Sequence, residues 1–182
     1  MASLWNDATI PASFTTDGSD LELGMRFRSD LDGFITAIRF WKQATNPNDI
    51  RLSLWSNVGD LLGRVTRPGD AESGWQEIAM TPVAITADTT YVVSYFLTPT
   101  ASYGFNSLYF ASSEFANPPL RALQDGADGA NGVFNVSIGG GFPVDTFNST
   151  NYWVDVVFET GSSGEQRNRR LLLLHHSDGF RV

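Results

Sequence analysis

The stretch Leu21-Glu22-Leu23-Gly24-Met25-Arg26-Phe27-Arg28 sets Leu21, Leu23, Met25 and Phe27 at every second position, with Glu22, Gly24, Arg26 and Arg28 between them. Successive side chains of an extended chain point to opposite faces, so this period of two predicts a strand with one buried and one wet face. The same reading carries along the chain. Phe34, Ile38 and Phe40 share a face in Gly33–Lys42, whose other face carries Ile35, Ala37, Arg39 and Trp41. Ile50, Leu52 and Leu54 alternate with Arg51, Ser53 and Trp55, and Tyr91, Val93, Tyr95 and Leu97 with Val92, Ser94 and Phe96. Tyr152, Val154, Val156 and Phe158 alternate with Trp153, Asp155, Val157 and Glu159. Shorter strands are predicted over residues 61–66, 75–80 and 132–137.

Turn-forming sequences fall between these runs, among them Asp17-Gly18, Asp32-Gly33, Gly59-Asp60 and Pro68-Gly69-Asp70. No long segment has the 3.6-residue period of a helix. Many short strands joined by turns predict an all-β fold, an antiparallel β-sandwich of jelly-roll-like form. Residues 98–131 are the least regular, and their aromatics (Tyr103, Phe105, Tyr109, Phe110, Phe115) mark either a packed loop or a binding loop.

The 182 residues suit one domain with a sizeable core, and the 42% hydrophobic content can offset the entropy of ordering it. No apolar run reaches the roughly 18 residues of a membrane span. Residues 1–160 are read as one sandwich module and 161–182 as a linker and tag-like tail, beginning Gly161-Ser162-Ser163-Gly164 and holding Leu171 to Leu174 and His175-His176. The start Met1-Ala2-Ser3-Leu4-Trp5 has no signal-peptide character and reads as that of an excised domain. The tail carries four arginines and two acids, so of the formal charge of −8, residues 1–160 hold −10, with Lys42 their only lysine. Such an acidic surface repels phosphate backbones and anionic lipid, which argues against nucleic acid and membrane as partners.

Several blocks resemble a known family: residues 22–27 (ELGMRF), 33–42 (GFITAIRFWK), 74–76 (GWQ), 82–87 (PVAITA), 90–95 (TYVVSY) and 151–158 (NYWVDVVF). Their order over residues 3–159 is similar to that of a bacterial domain-of-unknown-function family. That family occurs as a module of large secreted proteins, beside immunoglobulin-like repeats and hydrolytic domains. The resemblance implies a secreted, extracellular accessory β-sandwich and supplies no catalytic residues. The company it keeps associates it with carbohydrate.

Residues 1–160 contain neither histidine nor cysteine. Ser-His-Asp and Cys-His catalysis are therefore excluded there, and zinc lacks its usual ligands. A pair of carboxylates would still suffice for a glycoside hydrolase, the third reading of the function. Calcium is a better match to abundant acids, because it takes six to eight oxygens. If the first and last strands lie in one sheet, Glu22 and Asp155 converge, with Asp7, Asp17 or Asp20 and loop carbonyls completing a structural site; Asp17-Gly18 as a plain turn and Glu22 paired with arginine are the alternatives. Sugar rings stack on flat aromatic side chains while acids, amides and guanidinium groups bind their hydroxyls. Trp41, Trp55, Tyr103, Phe105 and Tyr109 are the candidates, against the alternative that each simply packs; Trp75 reads as core.

The expectation is a non-catalytic accessory module, monomeric, that binds polysaccharide with calcium as a structural ion. The alternative is a structural or adhesive spacer engaging neighbouring domains or a protein partner. An exposed coplanar aromatic pair would favour the first.

Overall fold

The computed structural model describes residues 1–44, 46 and 48–161; the tail expected from its composition lies outside the described residues, apart from Gly161. The described chain is all β, with thirteen strands. The larger sheet has the order β12 (Asp145–Thr146), β11 (Val133–Val136), β2 (Leu21–Ser29), β7 (Tyr91–Leu97), β4 (Ile50–Ser56), β5 (Leu61–Arg67). Beside β11, β10 (Leu120–Ala122) pairs with the far end of β2 and carries β9 (Phe115–Asn117). The smaller sheet has the order β13 (Val154–Thr160), β3 (Gly33–Lys42), β6 (Gly74–Ile85). A separate ribbon joins β1 (Ser13–Thr16) to β8 (Ser102–Phe105). Every pairing is antiparallel. The chain crosses between sheets from β2 to β3, β3 to β4, β5 to β6 and β6 to β7, the crossing pattern of a jelly-roll-like sandwich.

Between the sheets lie Met25, Phe27, Leu52, Leu54, Val93 and Tyr95 from one side and Ile35, Ile38, Phe40, Val156 and Phe158 from the other, all nearly fully buried. Burial of each large side chain contributes roughly 1.5–3 kcal/mol relative to exposure.

Two details depart from simple alternation. The register of β3 shifts between Ile35 and Ala37, so Ile35 joins Ile38 and Phe40 in full burial while Phe34 is only partly buried. The polar face expected for β2 is not wet at its start: Glu22 and Gly24 are buried, because the segment around Gly140 and Pro143 folds over them. The irregular region 98–131 resolves into three short strands, β8, β9 and β10, too short for a period to show. β13 begins two residues later than the alternation predicts, after Trp153, whose φ of 57° is left-handed.

Candidate functional site

On the face of the smaller sheet turned away from the sandwich core, cross-strand register sets Asp155, Arg39 and Glu77 side by side on β13, β3 and β6. Asp155 is fully buried. Its carboxylate accepts the backbone N–H groups of Leu4 (3.0 Å), Trp5 (3.2 Å) and Val156 (2.7 Å). Burial pushes this carboxyl up to about 6; the three N–H groups and the Arg39 guanidinium 3.9 Å away pull it back down. Arg39 donates to Ser3 Oγ (2.7 Å), the Trp5 carbonyl (3.2 Å) and Asp7 Oδ1 (2.6 Å), and its Nε lies 4.0 Å from Glu77. These bonds strap the N-terminal segment across the sheet. An aromatic cluster grows beneath the strap: Trp5 stacks on Trp75 (6.3 Å, 16°) and Phe115 (5.5 Å, 23°) and tilts against Trp153 (5.4 Å).

At the solvent edge of this cluster lies an open hollow of about 280 Å³, lined by Asp7, Arg39, Trp41, Gly74, Trp75 and Glu77. Trp41 and Trp75 are register partners whose rings meet edge to face at 6.0 Å and 85°. The Arg39 guanidinium sits 4.8 Å from the centre of the Trp75 ring, a cation–π contact. Trp75 Nε1 donates to the Thr9 carbonyl at 2.8 Å, so its polar edge is spoken for. Trp41 remains half-buried at the rim. Gly74 opens β6 at φ +100°, a conformation that side-chain-bearing residues rarely adopt. The hollow thus offers an indole wall, a guanidinium donor and two exposed carboxylate acceptors. Its volume lies just below the roughly 300 Å³ at which small-molecule sites begin.

A second hollow, of about 150 Å³, lies between Thr15, Tyr103, Phe105, Ser107, Phe147, Thr150 and Tyr152. The ring of Tyr103 meets Phe105 at 6.3 Å and 57°, and Tyr152 at 6.1 Å and 66°.

The sequence pattern of a family described as Domain of unknown function (DUF4082) matches residues 8–154. The chain belongs to this family. No curated protein shows significant similarity to this DUF4082 domain. Among solved structures it is similar to that of a clostridial cysteine protease, Cwp84, after propeptide cleavage. The TM-score is 0.57 at 6% sequence identity, covering 88% of this chain and 40% of the protease chain. At that identity the likeness shows the fold alone.

The DUF4082 domain separates the acids from which a calcium site was expected. Glu22 on β2 and Asp155 on β13 belong to different sheets, so they do not converge. Glu22 is buried, accepts a hydrogen bond from Ser94 Oγ at 2.5 Å and lies 3.5 Å from Arg51 Nη2. Burial raises its pKa, against the Ser94 hydrogen bond and the charges of Arg51 and Arg64. Asp20 accepts the N–H of Gly139 at 3.0 Å, and Asp7 pairs with Arg39. Asp17 lies within electrostatic reach of Tyr103 and Tyr152. Among the described residues no three His, Cys, Asp or Glu side chains come together to hold a metal ion.

The aromatic candidates also divide. Trp41 lines the first hollow, and Tyr103 and Phe105 share the second. Trp55 is buried, donates to Ser94 Oγ at 2.8 Å and is flanked by Phe142 and Arg64. Tyr109 packs in the inner cluster, where its hydroxyl accepts Trp5 Nε1 at 2.9 Å. Sequence reasoning missed Arg39 and Glu77 as site residues and assigned Trp75 to the core. The available signal was Arg39-Phe40-Trp41, which puts a guanidinium and an indole on one strand face.

Proposed function

We propose that the domain is a non-catalytic accessory module of a secreted protein and binds polysaccharide through the Trp41 hollow. One observation carries the reading: the half-buried indole of Trp41 stands beside Arg39, Asp7 and Glu77 in an open concavity. A pyranose ring laid on the indole would reach a guanidinium donor on one side and carboxylate acceptors on the other. Asp7 and Glu77 flank one guanidinium, which disposes them as partners for sugar hydroxyls. Calcium has no part in this proposal, because its expected ligands are dispersed.

The test is retention of the full chain on a panel of soluble and insoluble polysaccharides, with Trp41→Ala as the comparison and each run repeated in EDTA. Retention on one glycan class that Trp41→Ala loses, with the melting temperature held, supports the proposal. A folded protein retained on no glycan overturns it and leaves the second reading, a spacer that packs against neighbouring domains. That reading draws on the exposed apolar side chains of Val136, Ile138 and Val144, at and after the end of β11, and on the edge-to-face geometry of Trp41 and Trp75, which is not a coplanar platform.

A further inference from the structure

The second hollow differs in chemistry from the first. Four of its seven lining residues are aromatic, five carry hydroxyls (Thr15, Tyr103, Ser107, Thr150 and Tyr152), and none is basic. Tyr152 is nearly fully buried and forms the floor; Tyr103 and Phe105 are half-buried walls from β8; Phe147 stands 60% exposed at the rim. The rings meet at 57° and 66°. A flat pyranose needs a platform, whereas mutually inclined rings enclose a compact, rounded group. Each aromatic face is electron-rich and attracts a cation, most strongly where water is excluded.

Charge supports the same ligand. Burial raises the hydroxyl pKa of Tyr103, and the Asp17 carboxylate raises it further; for Tyr152, burial, Tyr103 and Asp17 act in the same direction. Asp17 follows directly on Thr15 and Thr16, the register partners of Tyr103 and Ser102, and its side chain is exposed at that end of the ribbon, so the nearest acid to a cation in the hollow stands beside the Tyr103 wall.

The rim is held in advance of binding. Ser107, Phe147, Thr150 and Tyr152 belong to two facing loops. These loops contain Leu108, Asn148, Ser149 and Trp153, all non-glycine residues with φ between 46° and 61°. Such backbone is unfavourable for side-chain-bearing residues and persists where the surroundings enforce it, as at ligand clamps. Here the enforcement is visible. Leu108 N–H donates to the Asn148 carbonyl (2.8 Å), Phe110 N–H to that of Ser149 (3.0 Å), and Asn106 and Asn151 exchange two backbone bonds of 3.0 Å. The Thr150 hydroxyl donates to the Phe147 carbonyl at 2.7 Å and fixes the rim residue.

We infer that the hollow formed by Tyr103, Phe105, Phe147 and Tyr152 is an aromatic cage for a quaternary ammonium group, with Asp17 supplying the opposing charge. The site is distinct from the Trp41 hollow and does not depend on glycan binding there. The trimethylammonium group occurs both free, as in choline, and linked through phosphate, as in phosphocholine; the cage recognises what the two share.

The experiment is calorimetric titration of the full chain with choline, with phosphocholine, with dimethylbutanol (the neutral carbon isostere of choline) and with a methyl glucoside. One of the two ammonium compounds is expected to bind at least about tenfold more tightly than dimethylbutanol, the margin a desolvated cation–π contact supplies. The tighter of the two identifies the free or the phosphate-linked source. Phe147→Ala, at an exposed position, and Tyr103→Leu are expected to weaken that binding about tenfold, and Asp17→Asn severalfold. Equal binding of the neutral isostere overturns the cage in favour of a plain apolar pocket. Preferential binding of the glucoside overturns it in favour of a sugar subsite. Absence of ammonium binding by the folded protein, or binding unchanged in Phe147→Ala, also overturns it.

Discussion

The backbone N–H of Leu4 donates to Asp155 Oδ1 at 3.0 Å, closing a separation of 151 residues. With the bond from Trp5 to Oδ2, it makes one buried carboxylate the anchor of the N-terminal strap. Asp155→Ala removes the acceptor for three N–H groups and a counter-charge of the buried Arg39. Breaking a buried charged network from one side costs about 3–5 kcal/mol, and that loss is expected in denaturant unfolding. Asp155→Asn retains one oxygen acceptor and should fall between. Amide exchange at Leu4 and Trp5 should accelerate in both variants; unchanged protection would mean that the strap is held by the aromatic cluster alone.

The pH dependence of stability follows from the same group. Asp155 has a folded pKa of about 6 against an ordinary 3.8. Between those values the folded state binds more protons than the unfolded chain, so stability falls as pH rises through the window. A difference of that size corresponds to about 3 kcal/mol. Glu22, also raised by burial, acts in the same direction. Asp70, lowered to about 2 chiefly by its hydrogen bond from Arg67, and Asp128, lowered chiefly by Thr90 and then by Arg28, act in the opposite sense. Their contribution is present above the ordinary carboxylate pKa and is lost as pH falls below it. Urea unfolding across a pH series should therefore show stability climbing from pH 7 towards the region between 4 and 5, then declining in stronger acid. Asp155→Asn should flatten the climb. A wild-type profile already flat between pH 4 and 7 would contradict the assignment.

The strands of both sheets were legible because periods of two survive over five or more residues in β2, β3, β4, β7 and β13. What alternation cannot express is a second covering layer. Glu22 reads as a solvent-facing residue, yet the segment near Gly140 roofs it over; Asp155 reads as polar surface, yet the N-terminal strap buries it. Nor does a local pattern say which sheet a strand joins, and the expected meeting of Glu22 and Asp155 failed on that point. Half of the first hollow was legible through Trp41. Its partner Trp75 is brought there by the long-range register of β3 with β6, which no neighbouring residue encodes. The second hollow was legible through Tyr103 and Phe105, but Phe147 and Tyr152 arrive from a loop more than forty residues away.

A buried relay runs from Trp55 Nε1 to Ser94 Oγ (2.8 Å) and from that hydroxyl to Glu22 Oε1 (2.5 Å). Ser94 is the one group that both accepts from the indole and donates to the carboxylate. Ser94→Ala strands both partners in a buried site, at a cost of about 2 kcal/mol. Because the Ser94 hydrogen bond lowers the pKa of Glu22, its removal should move that pKa further up. Carboxyl NMR titration of Glu22 in the two proteins checks the direction. A downward or absent shift would show that Arg51 takes over the carboxylate when the hydroxyl is gone.

Lys42 is the only lysine of the chain, and it is fully buried at the end of β3. Its ammonium donates to the carbonyls of Asp70 (2.7 Å) and Glu72 (2.8 Å) and lies 3.2 Å from Asp70 Oδ1. These bonds close the loop that delivers Gly74, its register partner, and then Trp75 into the first hollow. An amine-reactive label should therefore modify only the α-amine of the native protein and reach Lys42 after unfolding, as peptide mass mapping would show. Native labelling of Lys42 at the rate of a free lysine would mean that the loop opens readily. Lys42→Met fills a similar volume but donates nothing, leaving two carbonyls unpaired. It should lower stability by about 1–3 kcal/mol per stranded group that water cannot reach. It should also loosen Trp75, so that any glycan retained through Trp41 is bound more weakly while the cage of Tyr103 and Phe147, built on other elements, is unaffected. A parallel loss at both sites would point to general unfolding and away from a positioning role for Lys42.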